Sequence, residues 1–169
     1  TLGRASVSGY NYTTIKNGDF SNSGISLTNS YYSVINNVTS SSNVEDNEQM
    51  ILSGSSNNIL TNINISASPG SLAGIQLLSN SNNNSLTNIT VNSNLVGISI
   101  VDSSNNTLTN FNANSNGNGI GLSSTSNNNR IVDSTISNSI GDDVVVSEQS
   151  QNNIFLNVSY PRPKESVAS

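Results

Sequence analysis

A unit of the form apolar-x-Asn-x-x-apolar, preceded by Asn-Asn and further upstream by apolar-x-apolar, recurs seven times along the chain. Its clearest copies run Leu60-Thr61-Asn62-Ile63-Asn64-Ile65, Leu86-Thr87-Asn88-Ile89-Thr90-Val91, Leu108-Thr109-Asn110-Phe111-Asn112-Ala113 and Phe155-Leu156-Asn157-Val158-Ser159-Tyr160; weaker ones begin at Ile15, Ile35 and Ile131. The first residues of successive copies lie 20, 25, 26, 22, 23 and 24 residues apart. A segment of that length cannot bury an apolar face alone and must stack on its neighbours. The widest interval holds Pro69-Gly70, which reads as a turn insertion.

Before each anchor lies a second short apolar alternation: Ile25-Ser26-Leu27, Met50-Ile51-Leu52, Ile75-Gln76-Leu77, Ile98-Ser99-Ile100, Ile120-Gly121-Leu122 and Val144-Val145-Val146, four of them introduced by Gly24, Gly74, Gly97 and Gly119. Alternation over three to five residues is the signature of strands with apolar side chains inward. No stretch carries a helical apolar period, and Ser, Asn and β-branched residues are poor helix formers. Stacked coils of such strands bury a continuous column of Ile, Leu and Val, which predicts one all-β parallel solenoid of about seven coils. At roughly 4.8 Å per coil the rod is about 30 Å long.

Asn and Ser together fill 68 of 169 positions, a make-up that alone suggests a disordered tract; the ordered spacing of the apolar residues argues against that. Asn17, Asn37, Asn62, Asn88, Asn110 and Asn157 share one column, with Asp133 as the exception. Asn tolerates left-handed backbone, and stacked amides can hydrogen-bond in a ladder, so this column is expected to point inward and to be structural. The pairs Asn57-Asn58, Asn83-Asn84, Asn105-Asn106, Asn128-Asn129 and Asn152-Asn153 read as turns.

The pattern Gly-Ile-x-Leu…Ser-x-Asn-Asn-x-Leu-x-Asn-x-x-Ile resembles the right-handed parallel β-helix repeats of the pectin-lyase-like superfamily, especially the NosD-like repeats of archaeal cell-surface proteins. The resemblance spans roughly residues 5 to 160 and implies a right-handed β-helix. It says little about activity, because that superfamily includes lyases, hydrolases, tailspikes, adhesins and surface-layer components.

The chain has no His, no Cys and one Met, which removes the usual ligands of zinc, copper, haem and iron–sulfur centres and the Ser-His-Asp and Cys-His nucleophile systems. A net charge of −5 with five Lys and Arg disfavours nucleic acid and anionic lipid as partners, and no apolar run is long enough to insert in a membrane. Enzymes of the resembled superfamily cluster carboxylates on one strand face; here the ten acidic residues are scattered. Glu45, Asp46 and Glu48 are weak calcium candidates and read better as a solvated acidic turn. Asp142-Asp143 faintly resembles the paired Asp of polygalacturonases, but the accompanying His is absent from the chain, so a turn is expected there. No cofactor and no catalytic residue are expected.

Tyr10, Tyr12, Tyr31 and Tyr32 concentrate in the first two coils. They are candidates for stacking on a glycan, although covering the open end of the first coil is the simpler expectation. Of seven Asn-x-Ser/Thr sequons, Asn11, Asn64, Asn83 and Asn105 fall on outward or turn positions and are the glycosylation candidates; Asn37, Asn88 and Asn157 fall in the ladder and should be unmodified. The outward column Asp19, Thr39, Asn64, Thr90, Asn112, Thr135 and Ser159 is too mixed for an ice-binding array.

The β-helix is expected over residues 1–160, with Tyr160-Pro161-Arg162-Pro163 ending strand pairing and 161–169 forming a short polar tail. A start at Thr1-Leu2-Gly3 without Met reads as a processed, exported chain or an excised piece. The first coil looks less protected than the last, which invites self-association or docking on neighbouring segments of a larger surface protein. These readings converge on a non-catalytic extracellular structural protein, a building block or segment of a cell-surface layer, filament or adhesin. The alternative is a carbohydrate-binding or carbohydrate-active module.

Overall fold

The computed structural model describes residues 4–21, 23–42, 49–67, 72–161 and 165–167. The described residues form β1 (Ala5–Ser8), β2 (Thr14–Asp19), β3 (Ile25–Thr28), β4 (Val34–Ser42), β5 (Met50–Ser53), β6 (Ile59–Ala67), β7 (Ala73–Leu78), β8 (Ser85–Asn92), β9 (Val96–Val101), β10 (Thr107–Asn114), β11 (Asn118–Ser123), β12 (Arg130–Ser137), β13 (Val144–Ser147), β14 (Ile154–Ser159) and β15 (Glu165–Val167). Odd-numbered strands build an eight-stranded sheet and even-numbered strands a seven-stranded one, each in sequence order. Neighbouring strands pair in parallel throughout, so each circuit lays one strand on each sheet and the chain winds as a parallel β-helix.

Stacking in register turns the repeat into columns. Ile25, Met50, Ile75, Ile98, Ile120 and Val144 form one inward column, and Leu27, Leu52, Leu77, Ile100, Leu122 and Val146 the next. From the other sheet come Ile35, Leu60, Leu86, Leu108 and Ile131, which are wholly buried. Removing each Ile or Leu from water contributes on the order of 1.5–3 kcal/mol. One column changes size between rungs: Val38, Ile63, Ile89 and Phe111 are followed by Ser134, whose Oγ accepts the Phe111 amide at 3.1 Å.

The even-numbered strands are not straight. Within β6, Leu60, Ile63 and Ile65 are buried, while Thr61 and Asn62 both turn away from the core. The backbone register runs Ile35↔Leu60 and Asn36↔Thr61, then steps over residue 62 to Val38↔Ile63. Asn62 has φ of 55°, and its column mates Asn17, Asn37, Asn88, Asn110, Asp133 and Asn157 lie between 48° and 56°. One left-handed residue takes a position out of the two-residue pleat and folds the strand there.

The expected inward position of this column is therefore corrected: all seven side chains are exposed, on the outside of the bend. A second correction concerns residues 161–169, expected to be an unpaired tail. Val145↔Glu165, Val146↔Ser166 and Ser147↔Val167 pair in parallel, so the chain returns to the first sheet after the prolines. The two ends are also more alike than expected. Inward residues of the first and last circuits, Val7, Ile15, Phe155 and Val158, are only partly buried, and β2 and β14 share one burial pattern.

Candidate functional site

Between each odd strand and the next even strand the chain turns through a short corner, and here the Asn and Ser of the sequence are put to work. Ser30, Ser55, Ser81, Ser103 and Ser126 are buried in one column, each amide donating to the hydroxyl of the next at 3.1–3.3 Å. Three residues on, Asn58, Asn84, Asn106 and Asn129 form a second buried column. The Asn84 amide donates to Asn106 Oδ1 at 2.9 Å, its Nδ2 donates to Ser55 O at 3.0 Å, and its own Oδ1 accepts from the Asn58 amide at 2.9 Å. A buried amide stays only where its donors and acceptors are met, and these are met by neighbouring coils. The second Asn of four of the five pairs, read from sequence as turns, is thus the buried ladder, and Asn153 continues it partly buried. The clue is its recurrence immediately before β6, β8, β10, β12 and β14.

The residue ahead of that ladder has a left-handed backbone in every circuit: Tyr12, Tyr32, Asn57, Asn83, Asn105, Asn128 and Asn152, with φ between 55° and 59°. Five of these are Asn, which enters this region at low cost because its short amide bonds locally. The first two are tyrosine. Their rings stack with centroids 5.4 Å apart and planes 14° from parallel, and they remain 75% and 52% exposed.

That arrangement does not stabilise the corner. A left-handed conformation costs a residue with a full side chain about 1–2 kcal/mol, and two tyrosines carry that cost twice. A stacked aromatic pair returns about 0.5–1.5 kcal/mol, and the rings bury little else. Two exposed tyrosines in this conformation make the pair a candidate for a role other than holding the corner. Tyr10 stands level with Ser30, at the head of the buried serine column, and is 72% exposed. Tyr31 is partly buried, and its backbone amide donates to Asn11 Oδ1 at 3.0 Å. The four tyrosines therefore divide: Tyr12 and Tyr32 are a stacked pair, Tyr10 a neighbour and Tyr31 a rung.

The exposed column at the bend is linked along the axis as well. Asn37 Nδ2 donates to Asn17 Oδ1 at 2.8 Å, Asn88 to Asn62 at 3.0 Å, Asn110 to Asn88 at 2.7 Å and Asn157 to Asp133 at 2.7 Å. Asn37, Asn88 and Asn157 are thus exposed sequons whose amide nitrogen already donates to the preceding coil, and the inward placement expected of them is corrected. Asn11, Asn64, Asn83 and Asn105 are exposed too.

Two acidic side chains outside the bend column are held by hydroxyl donors. Asp102 accepts Thr125 Oγ1 at 2.8 Å, and Asp19 accepts the Ser21 hydroxyl at 2.5 Å and its amide at 3.0 Å. Those bonds from Ser21 hold the Asp19 carboxyl below its ordinary pKa. Asp143, expected in an open turn, is buried in the column of Gly74, Gly97 and Gly119, and its carbonyl accepts the Ile120 amide at 2.9 Å. An open depression on the outer surface is lined by Asp133, Ser134, Thr135, Asn157, Val158 and Ser159. Glu45, Asp46 and Glu48 lie outside the described residues, as does Pro69-Gly70. Among the described residues no three His, Cys, Asp or Glu lie together in a way that could hold a metal ion.

The model of the family described as right handed beta helix region matches residues 5–159. The chain belongs to the right-handed β-helix family. Its winding, its parallel sheets and its stacked columns are those of a right-handed β-helix, and membership in the family is compatible with structural and with carbohydrate-related roles. No curated protein matches the chain.

Proposed function

We propose that this β-helix is a non-catalytic extracellular structural element, a building block or segment of a cell-surface layer, filament or adhesin, associating through the ends of its solenoid. The observation that carries the reading is where the polar groups go. The Ser30–Ser126 column, the Asn58–Asn129 column and the exposed Asn column are all spent on bonds from one coil to the next. Such a chain invests its polar side chains in the rod itself.

The ends supply the means of association. Among the described residues β2 pairs only with β4, and β14 only with β12, while Ile15 and Phe155 at these edges stay partly buried. Unpaired edges over half-covered apolar columns are surfaces that another coil can complete. Head-to-tail contact between copies is heterologous and propagates unless it closes into a ring.

Sedimentation velocity across a range of concentrations, with electron microscopy of the same samples, tests this. The expected result is growth into filaments or sheets with an axial repeat of about 35 Å or a multiple of it, seven to eight coils at about 4.8 Å each. A strict monomer at all concentrations, with no assembly seen in the microscope, would count against association through the ends.

A further inference from the structure

We infer that the Tyr12–Tyr32 pair is a binding platform for the pyranose rings of a neutral polysaccharide. In this corner column every other circuit carries Asn, at Asn57, Asn83, Asn105, Asn128 and Asn152, all with the same left-handed backbone. Only the first two circuits place bulky rings where the backbone disfavours them, and they do so twice in succession. The rings gain little burial in return, since Tyr12 is 75% and Tyr32 52% exposed. What the geometry achieves is presentation: two nearly parallel rings, 14° apart in plane, held outward on a rigid corner.

The chemistry of the surroundings selects the ligand. Tyr12 has Tyr32 on one face and is three-quarters exposed, so its other face meets solvent. An open aromatic face packs against the C–H face of a sugar ring, while the phenol hydroxyls and neighbouring amides can bond sugar hydroxyls. The residues flanking the rings, Asn11, Thr13, Tyr31 and Ser33, are uncharged, and Asn57 continues the column. The chain as a whole carries −5, which disfavours polyanions, including acidic polysaccharides and nucleic acid. Tyr10, two residues before Tyr12 on the same turn, is exposed as well. The free face of Tyr12 lies at the first circuit, beside the β2 edge that is unpaired among the described residues, so a second copy docked on that end would compete with the sugar.

The test uses the whole chain in native gels cast with hydroxyethyl cellulose, with dextran, or with polygalacturonate as the charged control. The expected result is retardation by at least one neutral polymer and not by polygalacturonate. Tyr12→Asn/Tyr32→Asn, which restores the residue of the other circuits, should weaken binding by roughly tenfold or more and leave the thermal midpoint equal to or above that of the parent. Tyr10→Ser, which restores the serine column, should weaken binding without lowering the midpoint. The proposal is overturned if no neutral polymer retards the parent, if the double variant binds as well as the parent, or if retardation follows polygalacturonate alone. A double variant that melts lower assigns the rings to the fold, and one that shifts only the sedimentation coefficient assigns them to contact with a second copy; either outcome also overturns the proposal.

Discussion

Asn58 and Asn84, one coil apart, are joined twice through a single oxygen: Asn84 Oδ1 accepts both the backbone amide of Asn58 at 2.9 Å and its Nδ2 at 3.1 Å. The same figure repeats between Asn84 and Asn106 and between Asn106 and Asn129. Replacing Asn84 by Ala leaves buried groups unpaired on both sides and should cost about 3 kcal/mol. At Asn88, exposed and left-handed, Ala should cost about 1–2 kcal/mol. Gly separates the two causes: Asn88→Gly should recover most of the loss through its freedom at positive φ, and Asn84→Gly should recover none. Urea denaturation of the four variants decides this, and rescue of Asn84 by Gly would show that hydrogen bonding is not its role.

Gly97 lies where the chain enters β9, and a Cβ there would fall 2.4 Å from the carbonyl oxygen of Gly119 and 3.3 Å from Ala113 Cβ. Backbone cannot step aside as a flexible side chain does, so Gly97→Ala should destabilise by about 1–3 kcal/mol. At Gly121, in β11, an added methyl group would have nothing within 4 Å. Gly121→Ala should be neutral or stabilise by up to about 1 kcal/mol by restricting the unfolded chain. Thermal midpoints that fall equally in both would refute the argument from space.

Phe111 and Ser134 follow one another in a single inward column. If the large ring is tolerated because its neighbour is small, Ser134→Val alone overpacks the column and costs about 1–3 kcal/mol. In a Phe111→Ile background the same change should cost less, giving a coupling energy of about 0.5–3 kcal/mol. Additive losses in the double-mutant cycle would mean the two sites are packed independently.

Asp19 is held below its ordinary pKa by the Ser21 hydroxyl and amide. A carboxyl depressed in the folded state contributes stability that is present above its unfolded pKa and lost as pH falls through the folded one. The contribution should therefore fade below about pH 4. Asp19→Asn should flatten the acid limb of the melting curve slightly, because the group is fully exposed, and leave the neutral value almost unchanged. An unaltered acid limb would remove Asp19 from the account.

The inward columns were legible because strand alternation has a period of two: Ile98, Ser99 and Ile100 could be assigned in, out and in without a structure. The same counting misplaced Asn62. Starting from Leu60 it puts residue 62 inside, but the left-handed residue consumes one position and sends its own side chain out. Asn58 was misjudged for the complementary reason: a turn residue was assumed to face water, whereas this corner folds its amide under the next coil. The tyrosines could be found in the sequence, but their strain could not. It becomes visible only when Tyr12 and Tyr32 are aligned with Asn57 and share its φ. Glu165–Val167 is not legible from Tyr160-Pro161-Arg162-Pro163, because proline ends pairing where it stands and does not bar a later segment from pairing with β13.

Because, among the described residues, each strand pairs only with those one circuit before and after it, no coil has knowledge of the total number. Leu60 stacks on Leu86 and Leu86 on Leu108 in one continuous register, so excising residues 86–107 would bring Leu60 onto Leu108 with the same neighbours restored. Length in this architecture is a quantity that evolution or an engineer can set in steps of one coil. The molecule behaves as a ruler, able to fix how far the surface at one end is held from the surface at the other.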